Sequence, residues 1–137
     1  MFRDLPKKEK TFSIDVKGET TYQQYTGEFT VRAILNMGQK HQVELQKTQL
    51  QADTKSPTRE LAAISLILAE LRVRIIKGPD WWKDSERGAF IDDENVLIEI
   101  YDKITEAENE WKKEVRGEVK EELVKQDPNS QTEKPTN

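Results

Sequence analysis

The apolar residues of this chain change their period along its length. In TFSIDVKGETTYQQYTGEFTVR, residues 11–32, Phe12, Ile14 and Val16 alternate with polar positions, the pattern of a half-buried strand. Gly18 falls in a turn. A second run from Tyr22 to Arg32 sets Tyr25, Phe29 and Val31 among β-favouring neighbours. Gly27 interrupts this run and suggests a bulge or a further turn. The expectation is a hairpin or small three-stranded meander over 11–32. An isolated hairpin is marginal in water, so it should lean on the helices that come after it in the chain.

After residue 35 the period becomes helical. Asn36 can cap a helix over 36–52, whose apolar face (Met37, Val43, Leu50) is thin and is weakened further by Gly38. DTKSPTRE marks a boundary, with Ser56 in the N-cap position and Pro57 at the first helical position, where its missing N–H does no harm. The helix over 57–71 is apolar on most sides, with Leu61, Ile64, Leu66, Ile67, Leu68 and Leu71. That marks a buried helix at the centre of the core. VRIIK, 73–77, fits either a continuation of this helix or a short strand, and Gly78-Pro79 ends it. Beyond a tryptophan-bearing loop, Asp92 reads as the N-cap of a helix over 92–116, with Asp93 and Glu94 in its first turn. Leu97, Ile100, Tyr101, Ile104, Trp111 and Val115 follow at three- and four-residue steps.

The fold class expected is α+β: an N-terminal β-hairpin or small meander packed on a mainly helical domain of three main helices, with a long C-terminal helix. Residues 1–10 read as a flexible leader, 11–116 as a single domain, 117–126 as a charged helical extension bearing Val119 and Leu123, and 127–137 as a disordered tail.

Composition narrows the function. The chain has 137 residues, 34% apolar and 35% charged, enough for one ordinary domain. A net charge of -4 and a pI near 5.2 argue against a general nucleic-acid binder. There is no cysteine, hence no disulfide framework or thiolate metal site, and a reducing cytoplasm is the natural setting. MFRDLPKKEK lacks the apolar run of a signal peptide, and LAAISLILAELRV is broken by Glu70 and Arg72 and is too short to span a bilayer. A protein acting inside the cell, without membrane or nucleic-acid partners, is expected.

Candidate chemistry is sparse. Asp92, Asp93 and Glu94 offer oxygen ligands, but their spacing matches no calcium loop and N-capping accounts for them. His41, the single histidine, lies on a Gln- and Lys-rich helix and reads as an exposed polar residue. No P-loop, GxGxxG, HExxH or GxSxG occurs, so neither an enzyme nor a cofactor is expected. Arg72, Arg74, Lys77, Lys83 and Arg87 surround Trp81 and Trp82 as in a platform for single-stranded nucleic acid. Asp80, Asp84 and Glu86 in the same stretch offset that field.

The pair Trp81-Trp82 is the strongest local feature. Adjacent side chains diverge by about 100° on a helix and by more on a strand, so one core takes both only if the loop curls sharply. One tryptophan is expected to pin the loop and the other to meet a partner. The expected patch comprises Trp81 or Trp82 with Ile91 and the exposed part of the last helix, rimmed by Lys83, Arg87 and acidic residues. Trp111, on the stripe of the last helix, reads as core.

The succession of YTGEFTVR, AAISLILAELRVRIIKGPDWW and DDENVLIEIYDKITEAENEW over residues 10–116 resembles small tail-morphogenesis proteins of tailed bacteriophages, the tail assembly chaperone family. The resemblance implies a non-enzymatic assembly factor in the cytoplasm of the infected bacterial host. Such a factor binds the apolar, helical tape measure protein and assists tail tube subunits to polymerise around it, with self-association as a further option. The alternative is a small structural subunit kept in the virion at a tail, baseplate or capsid joint. A nucleic-acid-binding regulator ranks behind both.

Overall fold

A computed structural model describes residues 4–52, 56 and 58–126, and of 118–126 the backbone path alone. Strand β1 (Glu9–Lys17) pairs antiparallel with β2 (Gln24–Arg32), in register from Glu9 opposite Arg32 to Lys17 opposite Gln24. A short strand β3 (Ile75–Lys77) adds to the other side of β2, giving the order β1-β2-β3. Alternation puts Ile14, Phe29 and Val31 on the buried face. Phe12 stacks on Phe29 across the two strands, with ring centroids 5.7 Å apart. The architecture is α+β, as the hydrophobic pattern indicates.

Helix α1 (Met37–Leu50) is capped by Asn36 in a reciprocal capping box with Gln39, and buries only Val43, in keeping with its thin stripe. Helix α2 runs from Arg59 to Arg74. Its cap is Thr58, whose hydroxyl accepts from the Leu61 N–H at 3.1 Å, in place of Ser56; the predicted Pro57 position lies outside the described residues. VRIIK divides between the two expected states, helical through Arg74 and extended from Ile75. Nor is α2 buried all round. Ser65, Leu68, Ala69, Leu71 and Arg74 face inward, while Leu66 is exposed.

The segment after Gly78-Pro79 is a short helix α3 (Asp80–Asp84) rather than an open loop. The last helix, α4 (Glu94–Gln126), is continuous through Gly117 and extends about 50 Å. Its Val96, Leu97, Ile100 and Ile104 meet Leu68 and Leu71 of α2 and the inner face of the sheet in one core. Trp111 and Ala107 close a smaller cluster with Ala33. The leader is tied down rather than loose: β1 begins inside it, Lys8 C=O accepts from the Ala33 N–H at 2.7 Å, and Pro6 C=O accepts from Trp111 Nε1 at 3.1 Å. Its first three residues, and the tail at 127–137, lie outside the described residues.

A buried arginine ties the helices to the end of the sheet. Arg74 donates from Nε to Glu70 at 2.8 Å, from Nη2 to Glu108 at 3.0 Å and from Nη1 to the carbonyl of Ala33 at 3.0 Å. Burial pushes the Glu108 carboxyl up, but Lys112 and Arg74 outweigh it and hold it below its ordinary value. No helix among the described residues is long and apolar enough to cross a membrane.

Candidate functional site

The GPDWW segment curls onto the sheet, and the curl gives both tryptophans a place. Pro79 packs on Gly27, where an added Cβ would come within 2.7 Å of its ring. This close approach explains the glycine in a strand that keeps regular register opposite Ile14; the expected bulge at Gly27 does not form. Trp82 is 3% exposed and meets the Phe29 ring edge-on at 6.3 Å. Trp81 is half-buried, edge-on to Tyr25 at 5.1 Å and to Phe29 at 5.7 Å, and its Nε1 donates to the Thr26 carbonyl at 2.9 Å. One phenylalanine ring thus takes an edge from each indole. The sharp curl that lets one core take both tryptophans is present, with Trp82 buried and Trp81 half-buried on the sheet.

After α3 the chain turns through three successive residues with positive φ: Glu86 at 54°, Arg87 at 50° and Gly88 at 96°. Such backbone is costly for the first two and natural for glycine. Gly88 has a second reason to be glycine, since a Cβ there would lie 2.7 Å from Trp82 and 2.9 Å from Leu68. Arg72 on α2 holds the turn, donating from Nη2 to the Glu86 carbonyl at 3.1 Å and from Nε to that of Arg87 at 3.3 Å.

Asp92, Asp93 and Glu94 part company at the start of α4. Asp92 is exposed, and the helix begins at Glu94, so Asp92 is not its N-cap. Asp93 is fully buried and its carboxylate turns to the β1–β2 loop. Oδ1 accepts from the Thr20 and Thr21 N–H groups at 2.8 and 2.9 Å. Oδ2 accepts from the Thr21 hydroxyl at 2.6 Å and from the Tyr25 hydroxyl at 2.7 Å. Burial alone would raise the Asp93 pKa, but these bonds dominate and hold it at about 2. Burial, and after it the bond to Asp93, pushes Tyr25 up. Asn95 completes the latch, accepting from the Glu19 N–H and donating to the Lys17 carbonyl, each at 2.9 Å. Of the three carboxylates that suggested a cation ligand set, Asp93 is occupied by protein donors, while Asp92 and Glu94 are exposed. Among the described residues no group of three or more His, Cys, Asp or Glu side chains could hold a metal ion.

Two grooves flank the strained turn. One, of about 550 Å³, runs beside β3 and is lined by Ile76, Lys77, Trp82, Lys83 and Arg87. The other, of about 390 Å³, lies between α2 and the start of α4. Leu61, Ile64, Leu68, Ile91 and Leu97 form its floor; Glu60, Asp92 and Glu94 stand at its rim. The structure thus divides the predicted patch. Trp82, Lys83 and Arg87 share the first groove, Ile91 belongs to the second, and Trp81 lines neither. Lys83 is exposed and 3.6 Å from Asp80. Sequence reasoning passed over Phe90, which is 70% exposed and stands in the chain between Ala89 and Ile91, two residues that line the α2–α4 groove. Its signal was present in GAFID, an aromatic flanked by small and acidic residues in a loop. His41 is exposed, as expected of its helix. Comparison with protein-family models, curated protein sequences and solved structures finds no match to this chain.

Proposed function

We propose that the protein is a non-enzymatic assembly chaperone of phage tail morphogenesis that takes up a helix of the tape measure protein in the groove between α2 and α4. One observation carries this reading: an open groove with an apolar floor, built by two helices, with exposed Phe90 standing in the chain between two of its lining residues. Grooves of this kind receive the apolar face of an amphipathic helix. A solvent-exposed phenylalanine adjoining such a groove in sequence suits a binding anchor better than a core residue. The resemblance to tail assembly chaperones over residues 10–116 supports the choice of partner, and the host cytoplasm is where such a partner would be met.

The test is co-expression with the long, helix-rich product of the neighbouring gene, followed by capture and by mass spectrometry of purified particles. Capture that is lost in Phe90→Ala, with the protein absent from particles, is the expected result. Presence in particles at fixed copy number would replace this reading by a structural subunit at a tail, baseplate or capsid joint. The length of α4, which runs on past the core clusters, favours that second reading most directly.

A further inference from the structure

The rim of the α2–α4 groove carries a charge that its apolar floor does not require. Glu60, Asp92 and Glu94 are all exposed there, and among the described residues no lysine or arginine lines the groove. Glu60 lies in the first turn of α2, and Glu94 opens α4, so two helix N-termini meet at this site. Each N-terminus supplies the equivalent of about half a positive charge. Against three carboxylates that leaves roughly two negative charges facing whatever enters the groove. Arg59, next in sequence to Glu60, lines a different depression with Ala62, Ala63 and Leu66.

Charge of one sign around an apolar trough selects its occupant. An amphipathic helix with acidic flanks would bring carboxylates against carboxylates as water leaves the rim, whereas one with basic flanks would pair them. Resting on the groove assignment above, we propose that this site selects an amphipathic helix whose apolar stripe is flanked by lysine or arginine, with Phe90 packing against the stripe at the loop end. A second copy of the chain is the competing occupant, since α1 exposes Met37 and Leu45 and carries Lys40 and Lys47, with Glu44 paired to Lys47 at 3.3 Å.

Three synthetic helices separate the alternatives. All share one leucine stripe on an alanine body, with flanking positions filled by Lys, Gln or Glu, and each carries fluorescein for anisotropy against the intact protein. At about 50 mM salt the Lys-flanked helix should bind at least roughly tenfold more tightly than the Gln-flanked one, and the Glu-flanked helix most weakly. At about 500 mM salt the differences should shrink as screening shortens the range of the rim charges. In Glu60→Gln/Asp92→Asn/Glu94→Gln the Lys helix should fall to the affinity of the Gln helix. These three positions are exposed, so the fold should be kept, which circular dichroism checks.

Equal binding of all three helices, with amide shifts at Ile64, Ile91 and Leu97, would overturn the charge selection and leave the groove assignment standing. Binding that shifts other residues, or no binding at all, would overturn both. Lys preference with no capture of the tape measure protein would leave this inference intact and sink only the choice of partner. A dimer at micromolar concentration that the triple substitution dissociates would overturn it in favour of a second copy.

Discussion

At the scale of single residues, Asp93 has the most to lose. Its buried carboxylate accepts two backbone and two hydroxyl hydrogen bonds from the β1–β2 loop and the start of β2, more than 60 positions away in the chain. Asn in its place keeps the shape but turns one acceptor oxygen into a donor facing the Thr21 or Tyr25 hydroxyl. Asp93→Asn should therefore lower the urea midpoint at pH 7 far more than Asp92→Asn, which alters an exposed side chain and should stay within about 0.5 kcal/mol of the parent. The pH dependence has a definite sign. The folded-state pKa of Asp93, about 2, lies below its ordinary value of 3.8. The stability this brings is thus complete above about pH 4 and is lost as pH falls toward 2. A denaturation series from pH 5 to pH 2 should show a steeper loss in the parent than in Asp93→Asn. Parallel curves would mean that the latch does not bind its proton as its geometry requires.

Between elements, the glycines mark where backbones approach closely and where they do not. Gly27 lets Pro79, just ahead of α3, settle on β2, and a methyl group there would lie 2.7 Å from the proline ring. Gly27→Ala should destabilise the domain by about 1–3 kcal/mol through overpacking. On α4, a methyl group at Gly117 would meet nothing within 4 Å, so Gly117→Ala should raise helicity and add up to about 1 kcal/mol to the last helix. Urea denaturation and the ellipticity at 222 nm check the pair, and a matching sign for both would contradict these contacts. The same positions show what the sequence could and could not convey. Period alone identified the strands around Ile14 and Phe29, the helix start at Asn36 and the long stripe from Leu97 to Val115, because those signals are local. Gly27 reads locally as a bulge; its reason is a proline more than 50 residues on. Asp93 reads locally as a first-turn carboxylate; its partners sit in the β1–β2 loop. Trp81 and Trp82 were legible as important, but only the curl of α3 over Phe29 shows that both pack on the sheet. The groove floor draws on α2, the 85–93 loop and α4 at once, so its membership follows from packing that no single stretch encodes.

In the molecule as a whole, the proposed recognition groove and the extension lie at opposite ends of one helix. The α2–α4 groove uses the first turn of α4, with Glu94 and Leu97, while among the described side chains the core clusters reach Trp111 and Val115. From Glu94 to Gly117 the helix covers about 35 Å. At Gly117 itself an added Cβ would meet nothing within 4 Å. Ending the chain after Gly117 should then change the stability of the domain by less than about 0.5 kcal/mol, and the truncated protein should bind the Lys-flanked helix with unchanged affinity. If capture of the tape measure partner also survives, the groove suffices for the chaperone role. If capture is lost while the domain melts as before and the Lys-flanked helix still binds, the residues after Gly117 make a separate contact, and α4 serves as an arm between two binding events. A fall in the melting temperature by more than a few degrees would instead mean that the last turns of α4 stabilise the fold itself, against the core as its clusters delimit it.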